Sequence, residues 1–225
     1  MPRVARIVGT GYPHHVVQRG NNREKVFLNK ADYRTYLSYL ERYSTEKKVA
    51  ILAYCLMANH VHLLVRPVEE NALSKMMQGI ALWYTQYFNR KNKRTGRLWE
   101  CRYHSTLIDE ETYLWAVSKY IDSNPVRAGI VEDPAAYRYS SARAHLFGEA
   151  DPFLKEPLFD EGEMSEYRRF MRRMEDKQVL EEIRRHTRLG KPLGDGGFLR
   201  ALSKRLGHRL VFRPKGRPRT KEQAQ

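Results

Sequence analysis

Two histidines separated by one residue, His60 and His62, stand in an apolar stretch of the sequence. If this stretch is a β-strand, side-chain alternation directs both imidazoles to one face of the sheet, close enough to share a metal ion. Val61 and Leu63 then point to the opposite face, towards the core. An isolated His-x-His pair on a strand is more often two ordinary histidines than a metal site. The pair alone is therefore a weak signal.

We predict a helix over residues 109–123. Two tyrosines of this helix and an asparagine directly after its C-terminal end share one face. Tyr113, Tyr120 and Asn124 follow helical steps. A tyrosine on such a face is usually a core residue, and Asn124, next to a proline, could simply cap the helix. A buried amide needs a polar partner, however, and a metal ion held by the two histidines would be one.

A tyrosine beside a divalent metal ion suits the transfer of a DNA strand. A phenol has a pKa of about 10 and is a poor nucleophile at neutral pH. A divalent cation polarises the scissile phosphate and stabilises charge on the transferring group. The resulting phosphotyrosine conserves the bond energy for rejoining, whereas hydrolysis would discard it. Ligand preference alone would allow zinc or iron at two imidazoles.

The charge of the chain indicates a polyanionic partner. It contains 41 Lys and Arg against 26 Asp and Glu, which gives a net charge of +15. Its 225 residues are enough for one domain with a buried core and an appendage. No apolar run approaches the roughly 20 residues of a spanning helix, and no signal peptide is recognisable. We therefore expect nucleic acid as partner, no membrane, and a cytoplasmic location. Cys55 and Cys101 form no CxxC pair and are predicted to be reduced core thiols.

Hydrophobic periodicity predicts the order β-α-β-β-α-β followed by a helix. The strands fall at 14–19, 98–108 and in a hairpin over 49–66 that turns at Ala58-Asn59. Helices begin near Lys30 and span 72–90, then 109–123. This order is typical of a ferredoxin-like, split βαβ arrangement, an α+β fold in which an antiparallel sheet carries helices on one face. The inward face of the helix over 72–90 consists of Leu73, Met76, Met77, Ile80, Trp83, Tyr84 and Tyr87.

The C-terminal third of the sequence is more charged and less periodic. We predict a catalytic domain over 1–148, a basic helical extension over 149–207 with helices at 163–186 and 196–206, and a basic tail over 208–225. The tail contains Arg213-Pro-Lys-Gly-Arg-Pro-Arg219, which looks like an AT-hook for the minor groove of A·T-rich duplex. A merely solvated basic tail is an equal alternative. The candidate contacts there are Lys215, Arg217 and Arg219.

Three motifs, in this order and spacing, resemble the REP-associated tyrosine transposases of the HUH single-strand transposase and endonuclease superfamily. They are NHVHLLV at 59–65, GRLWECRYHSTLI at 96–108 and YIDSNPVRAG at 120–129. The segment HHVVQRGNNREKVF at 14–27 resembles the first strand and turn of the same family. The resemblance covers roughly residues 5–145, the whole predicted core.

The resemblance implies a role for each candidate residue. His60 and His62 would be ligands of magnesium or manganese, Tyr120 the nucleophile, and Asn124 a third polar ligand. The implied substrate is folded single-stranded DNA, the hairpins of repetitive extragenic palindromes. Cleavage would give a 5′-phosphotyrosine and a free 3′-hydroxyl. The protein would act as a monomer or a homodimer.

Two other classes of function stay open beside this enzyme. A non-catalytic module of the RNA-recognition type would bind through aromatic side chains exposed on the sheet. A hydrolytic metal nuclease would normally use clustered carboxylates, and the acidic residues near the third helix show no such spacing. In the enzyme, the candidate phosphate contacts bordering the site are Arg19, Arg23, Arg97, Arg102 and Arg127.

Overall fold

A four-stranded antiparallel sheet forms the centre of the protein in a computed structural model that describes residues 7–207. The strands are β1 (His14–Arg19), β2 (Val49–Met57), β3 (His60–Pro67) and β4 (His104–Leu107). They lie in the order β2-β3-β1-β4, and every neighbouring pair is antiparallel. This order confirms the predicted ferredoxin-like α+β fold. The hairpin turns between β2 and β3 at Ala58-Asn59, as predicted.

Helices cover both faces of the sheet. They are α1 (Lys30–Glu46), α2 (Ala72–Lys91), α3 (Glu110–Asp122), α4 (Asn124–Arg127), α5 (Ala142–Phe147), α6 (Glu161–Met171), α7 (Lys177–Leu189) and α8 (Gly196–Leu206). Helices α1 and α2, which belong to the split βαβ units, pack on one face as predicted. Helices α3 and α7 cover the other face. Within the described part of the chain, no helix is long and apolar enough to cross a bilayer.

Alternation along β3 divides its side chains between the two faces. Val61, Leu63 and Val65 are fully buried and belong to the core beneath α1 and α2. Leu64 belongs to the second core, beneath α3 and α7, and His62 points to that same face. Burying each large aliphatic side chain contributes about 1.5–3 kcal/mol. The apolar pattern therefore fixes the strand register and, with it, the face that carries the histidines.

The fourth strand is shorter than the predicted span of 98–108. Leu98, Trp99 and Tyr103 are all buried in the core beneath α1 and α2. In a regular strand, Leu98 and Trp99 would point to opposite faces, so this segment forms a loop that folds both side chains into one core. The prediction for Cys101 is wrong for the same reason, because this thiol lies exposed on the loop, whereas Cys55 is buried as expected.

Two predictions about helices are also wrong in detail. The helix predicted over 163–186 is interrupted between α6 and α7. The side chain of Asp176 starts the second helix by accepting hydrogen bonds from the backbone N–H groups of Gln178 and Val179. In α2, Trp83 does not face inward but is 45% exposed, because the buried face runs through Ile80 and Tyr84.

Candidate active site

The histidine pair and Tyr120 meet on the sheet face that α3 covers. The ring centres of His60 and His62 lie 4.9 Å apart, with the ring planes at 81°. The Tyr120 ring centre lies 5.5 Å from that of His62, edge to face. His62 and Tyr120 are buried and His60 is partly exposed. Strand alternation predicted the shared face of the two imidazoles, and the structure adds the phenol from α3.

Hydrogen bonds occupy the Nδ1 atom of each imidazole. His60 Nδ1 lies 2.6 Å from Asn59 Oδ1, and Asn59 Nδ2 donates to the carbonyl of Arg23 at 3.1 Å. Because the amide nitrogen of Asn59 is the donor to Arg23, its Oδ1 is the acceptor, and His60 must carry its proton on Nδ1. His62 Nδ1 lies 3.0 Å from His15 Nε2. Within residues 7–207, neither Nε2 atom of the pair makes a hydrogen bond.

Tyr120, and not Tyr113, is the tyrosine that lies beside the histidines. Tyr113 is on the same helix, but its hydroxyl donates to Glu182 at 3.1 Å. Burial, together with the nearby Glu182 carboxylate, raises the pKa of Tyr113 and makes it a poorer nucleophile. Between the two candidates that helical spacing left open, only Tyr120 has ring contacts with a histidine in the described part of the chain.

A family model described as IS200-like transposase matches residues 10–124 of the sequence. The chain belongs to the IS200-like transposase family. The matched region runs from before β1 to the first residue of α4, and so contains the histidine pair, Tyr120 and Asn124. Membership gives the protein a transposase-like function. No curated protein matches the sequence.

One solved structure supports the fold of this IS200-like transposase. A REP-associated tyrosine transposase bound to a REP hairpin has 17% sequence identity and a TM-score of 0.55, covering 71% of this chain and 94% of its own. A protein assigned as a transposase from Deinococcus radiodurans R1 has 18% identity and a TM-score of 0.38, covering 55% of this chain and 97% of its own. At such identities, the first likeness establishes the fold alone.

The candidate site includes a third histidine that sequence reasoning missed. His15 on β1 lies next to His62, with ring centres 5.3 Å apart, and its ring centre is 5.6 Å from that of Tyr120. In the β1–β3 pairing, Val17 stands opposite His62, so His15 occupies the diagonal position on the same face. Alternation along β1 could have shown which face of the sheet carries His15. To place it beside His62, however, the register between β1 and β3, which are far apart in sequence, had to be known.

All three histidines are held neutral at physiological pH. Burial, followed by the positive charge of Arg19, lowers the pKa of His60 to about 4. Burial, followed by the charge of Arg127, lowers the pKa of His15 to about 3. The pKa of His62 lies well below its usual value, mainly because of burial and then because of His60 and His15. Neutral imidazoles are the form that binds metal ions.

The donor set fits a divalent cation with two nitrogen ligands. His60 and His62 are neutral, and their Nε2 atoms are not engaged by other groups of residues 7–207. The side chain of Asn124 is buried at the start of α4, where no hydrogen bond joins it to either histidine in the described part of the chain. Within that part, no group of three or more His, Cys, Asp or Glu side chains could hold a metal. The predicted set, two imidazoles and an amide, is of a different kind.

Acid is expected to destabilise the fold as the pH falls from about 6.5 to about 4. Burial also lowers the pKa of His14 to about 4. When the pKa of a histidine is lower in the folded protein than in the unfolded chain, the unfolded chain binds more protons between the two values. The free energy of unfolding therefore rises with pH across this window and reaches its full value above it. His145, whose pKa Asp122 raises against burial, has the opposite sign and loses its contribution as the pH rises. Urea titrations across this range measure the trend, and a flat profile would contradict it.

Two of the five predicted arginines lie at the site. Arg19 stands opposite His60 in the β1–β3 ladder. The Arg127 guanidinium lies 4.4 Å from the Tyr120 ring centre, donates to the Tyr120 carbonyl and pairs with Glu175. A residue that the sequence reasoning did not single out, Arg184 on α7, lies 6.0 Å from the same ring. Cations beside this ring can attract a phosphate group.

The other three predicted arginines lie on two adjacent loops. Arg23, Arg97 and Arg102 are exposed. The loops are joined by backbone hydrogen bonds from Asn21 to the Leu98 carbonyl at 2.8 Å and from Glu100 to the Arg19 carbonyl at 2.9 Å. They therefore form one basic edge beside β1, as a phosphate-binding rim requires. The candidates Lys215, Arg217 and Arg219 lie outside the described residues.

Proposed function

We propose that this IS200-like transposase cleaves and rejoins single-stranded DNA hairpins through a covalent 5′-phosphotyrosine on Tyr120. The observation that carries the proposal is the convergence of one phenol and two neutral imidazoles on a buried sheet face, with ring centres 5.5 Å and 4.9 Å apart. The relative with the same fold, a REP-associated tyrosine transposase, was solved with a REP hairpin bound. A net charge of +15 supports a nucleic acid as the partner.

The metal in this proposal is magnesium or manganese, held by the Nε2 atoms of His60 and His62. The Asn124 amide oxygen is the proposed third ligand. When bound, the cation polarises the scissile phosphate and stabilises the charge that develops on it. Burial keeps both imidazoles neutral, and the bond to Asn59 holds the His60 proton on Nδ1. The neutral form of both imidazoles, and the tautomer of His60 that leaves a lone pair on Nε2, are therefore in place before any metal binds.

Tyr120 supplies the nucleophile in the proposed reaction. Its Oη atom attacks the phosphorus and loses the phenolic proton, and the bond to the 3′ oxygen breaks. That oxygen leaves as a hydroxyl after taking up a proton, so the 5′ phosphate remains on the tyrosine. Arg127 and Arg184 lie against the ring and stabilise negative charge on the transferring phosphate. The same steps in reverse, with another 3′-hydroxyl, rejoin the strand.

A non-catalytic binding module is the alternative, and the covered sheet argues against it. Modules of the RNA-recognition type stack bases on aromatic side chains exposed on a sheet face. Here α1 and α2 cover one face, and α3 and α7 cover the other. Tyr54, the one tyrosine in the four described strands, is buried.

The proposal is tested by asking which half of a cut hairpin stays on the protein. Hairpin DNA carrying a label at either its 3′ or its 5′ end is incubated with the full chain and Mg²⁺ or Mn²⁺, and the products are denatured. Attachment of the 3′-labelled fragment alone supports a 5′-phosphotyrosine. Cleavage without attachment indicates a hydrolase, and binding without cleavage indicates the module.

Replacing Arg184 with alanine is expected to slow covalent attachment about tenfold, because one of the two cations beside the phenol is lost. Hairpin affinity should change much less. Arg185 is the matched control, since it is on the same helix, equally exposed, and paired with Glu182 as Arg184 is with Glu181. Single-turnover rates of the two alanine variants make the comparison. Equal rates in both variants would contradict a role for Arg184.

We also propose that the basic tail adds contacts to A·T-rich duplex. Replacing Lys215, Arg217 and Arg219 with alanine removes three phosphate or groove contacts. The slope of log affinity against log salt should then fall by about 2–3. Titrations with A·T-rich and G·C-rich duplexes at several salt concentrations measure this slope. If the tail is merely solvated and basic, these replacements would lower the affinity for both duplexes equally.

A further inference from the structure

A buried hydroxyl from α7, outside the region that the family model matches, reaches the candidate site. Thr187 Oγ1 lies 2.9 Å from His15 Nδ1, and His15 Nε2 lies 3.0 Å from His62 Nδ1. All three side chains are buried, at 4%, 1% and 3% exposure respectively. They form a line of two hydrogen bonds that ends at one of the proposed metal ligands.

The protons of this line can be arranged in two ways, because a neutral imidazole carries one N–H. In the first arrangement, Thr187 donates to His15, His15 Nε2 donates to His62 Nδ1, and the proton of His62 lies on Nε2. In the second, His62 Nδ1 donates to His15 Nε2, and His15 Nδ1 donates to Thr187. Only the second leaves a lone pair on His62 Nε2, the nitrogen that hydrogen bonds leave available.

We propose that Thr187 is a positioning residue that sets the tautomer of His62 through His15. Its hydroxyl accepts the hydrogen bond from His15 Nδ1, which turns His15 Nε2 into the acceptor for His62 Nδ1–H. The inference rests on the proposed function, since it takes His62 Nε2 as the metal-binding atom. An outer partner that fixes a ligand histidine in this way raises its basicity and holds its ring.

The geometry of the two rings suits this hydrogen bond. The planes of His15 and His62 are within 10° of parallel, and their centres lie 5.3 Å apart. With the two nitrogens only 3.0 Å apart, the rings meet edge to edge, so an N–H can lie in the plane of both. The same ring of His15 has Tyr120 against its face.

The position of Thr187 is fixed by the way α7 joins the sheet. Thr187 follows the buried Ile183 by one turn on the inner face of the helix. Gly190 then ends the helix at a φ of +64°, a conformation that favours glycine. The chain next pairs with the end of β4, where Leu193 donates to the Leu107 carbonyl at 2.8 Å. A buried hydroxyl here needs a partner, and His15 is that partner.

The test is the replacement of Thr187 with valine, which keeps the branched shape and removes the acceptor. His15 Nδ1–H would then be buried without a partner, so its proton should move to Nε2 and force His62 to carry its proton on Nε2. Nitrogen-15 NMR of the imidazoles in the full-length, metal-free protein distinguishes the two tautomers. We expect Nδ1–H at His62 in the wild type and in Thr187→Ser, and Nε2–H in Thr187→Val.

Manganese binding gives a second readout that separates this inference from the proposed function. Thr187→Val should weaken Mn²⁺ binding about 10- to 100-fold in calorimetry, and Thr187→Ser should bind within about threefold of wild type. If the His62 tautomer differs between the wild type and Thr187→Val as expected, but the wild type binds no Mn²⁺, the line of hydrogen bonds is supported and the proposed function is overturned. Equal Mn²⁺ affinity in the wild type and the valine variant would overturn the role of Thr187. An Nε2–H tautomer at wild-type His62 overturns it too, even if the valine variant fails to fold.

Discussion

Replacing Tyr120 with phenylalanine is expected to abolish the covalent attachment of DNA while leaving the fold and hairpin binding nearly unchanged. The substitution removes only the Oη atom, which makes no hydrogen bond within residues 7–207, and keeps the ring against His62 and Arg127. Without a nucleophile, the rate of attachment should fall at least about a thousandfold. The assay with 3′-labelled hairpin measures the adduct, and circular dichroism and thermal unfolding verify the fold.

Tyr113→Phe is the matched control because it removes the other phenol of the same helix face. That hydroxyl donates to Glu182, away from the histidines, so its loss should change the attachment rate less than threefold, or about 0.6 kcal/mol. Mass spectrometry of the trapped adduct identifies the modified residue directly. A DNA fragment mapped to Tyr113 would overturn the assignment of Tyr120.

The sequence was sufficient for the parts of the site that depend on local periodicity. Alternation on β3 predicted that His60 and His62 share a face, and helical steps placed Tyr120 on the inner side of α3. Burial alone could not choose between Tyr120 and Tyr113, since helical spacing gives both the same face. The resemblance of YIDSNPVRAG at 120–129 favoured Tyr120. The crossing of α3 over β3, a tertiary property, then places the Tyr120 ring, and not that of Tyr113, beside the histidines.

The residues that sequence reasoning missed depend on contacts between distant parts of the chain. Thr187 is 172 positions from His15 in the sequence, yet Thr187 Oγ1 and His15 Nδ1 lie 2.9 Å apart. Helix α7 was hidden inside a longer predicted helix because its charged outer face resembles that of α6. Its inner face, with Val179, Leu180 and Ile183 at helical spacing, packs on the core beneath α3. That pattern predicts a helix, but it does not show that Thr187, on the same face, meets His15 on β1. The extension predicted over 149–207 therefore supplies site residues that its composition did not indicate.

Substituting either histidine of the pair with alanine, which has no ligand atom, is expected to remove divalent metal binding and, with it, covalent attachment, while DNA binding persists. Each imidazole is one of two proposed nitrogen ligands, and the loss of the cation removes several kcal/mol of stabilisation from the reacting phosphate. Attachment should therefore slow by at least about a hundredfold. The phosphate contacts proposed for Arg23, Arg97 and Arg102 do not involve the metal, so hairpin affinity should stay within about threefold.

The two substitutions differ in what else they disturb, which makes the pair informative. His60 is partly exposed at the start of β3, so His60→Ala should keep its thermal stability, whereas the buried His62 also bonds to His15. His186→Ala is the control, since this histidine bonds to the Pro192 carbonyl and faces neither Tyr120 nor the pair. The Mn²⁺ affinity from calorimetry and the attachment rate should then both fall in the two site variants. Neither should fall in the control. Full attachment by a folded His60→Ala protein would contradict the proposed role of His60 as a metal ligand, because one of the two imidazoles would have been lost without consequence.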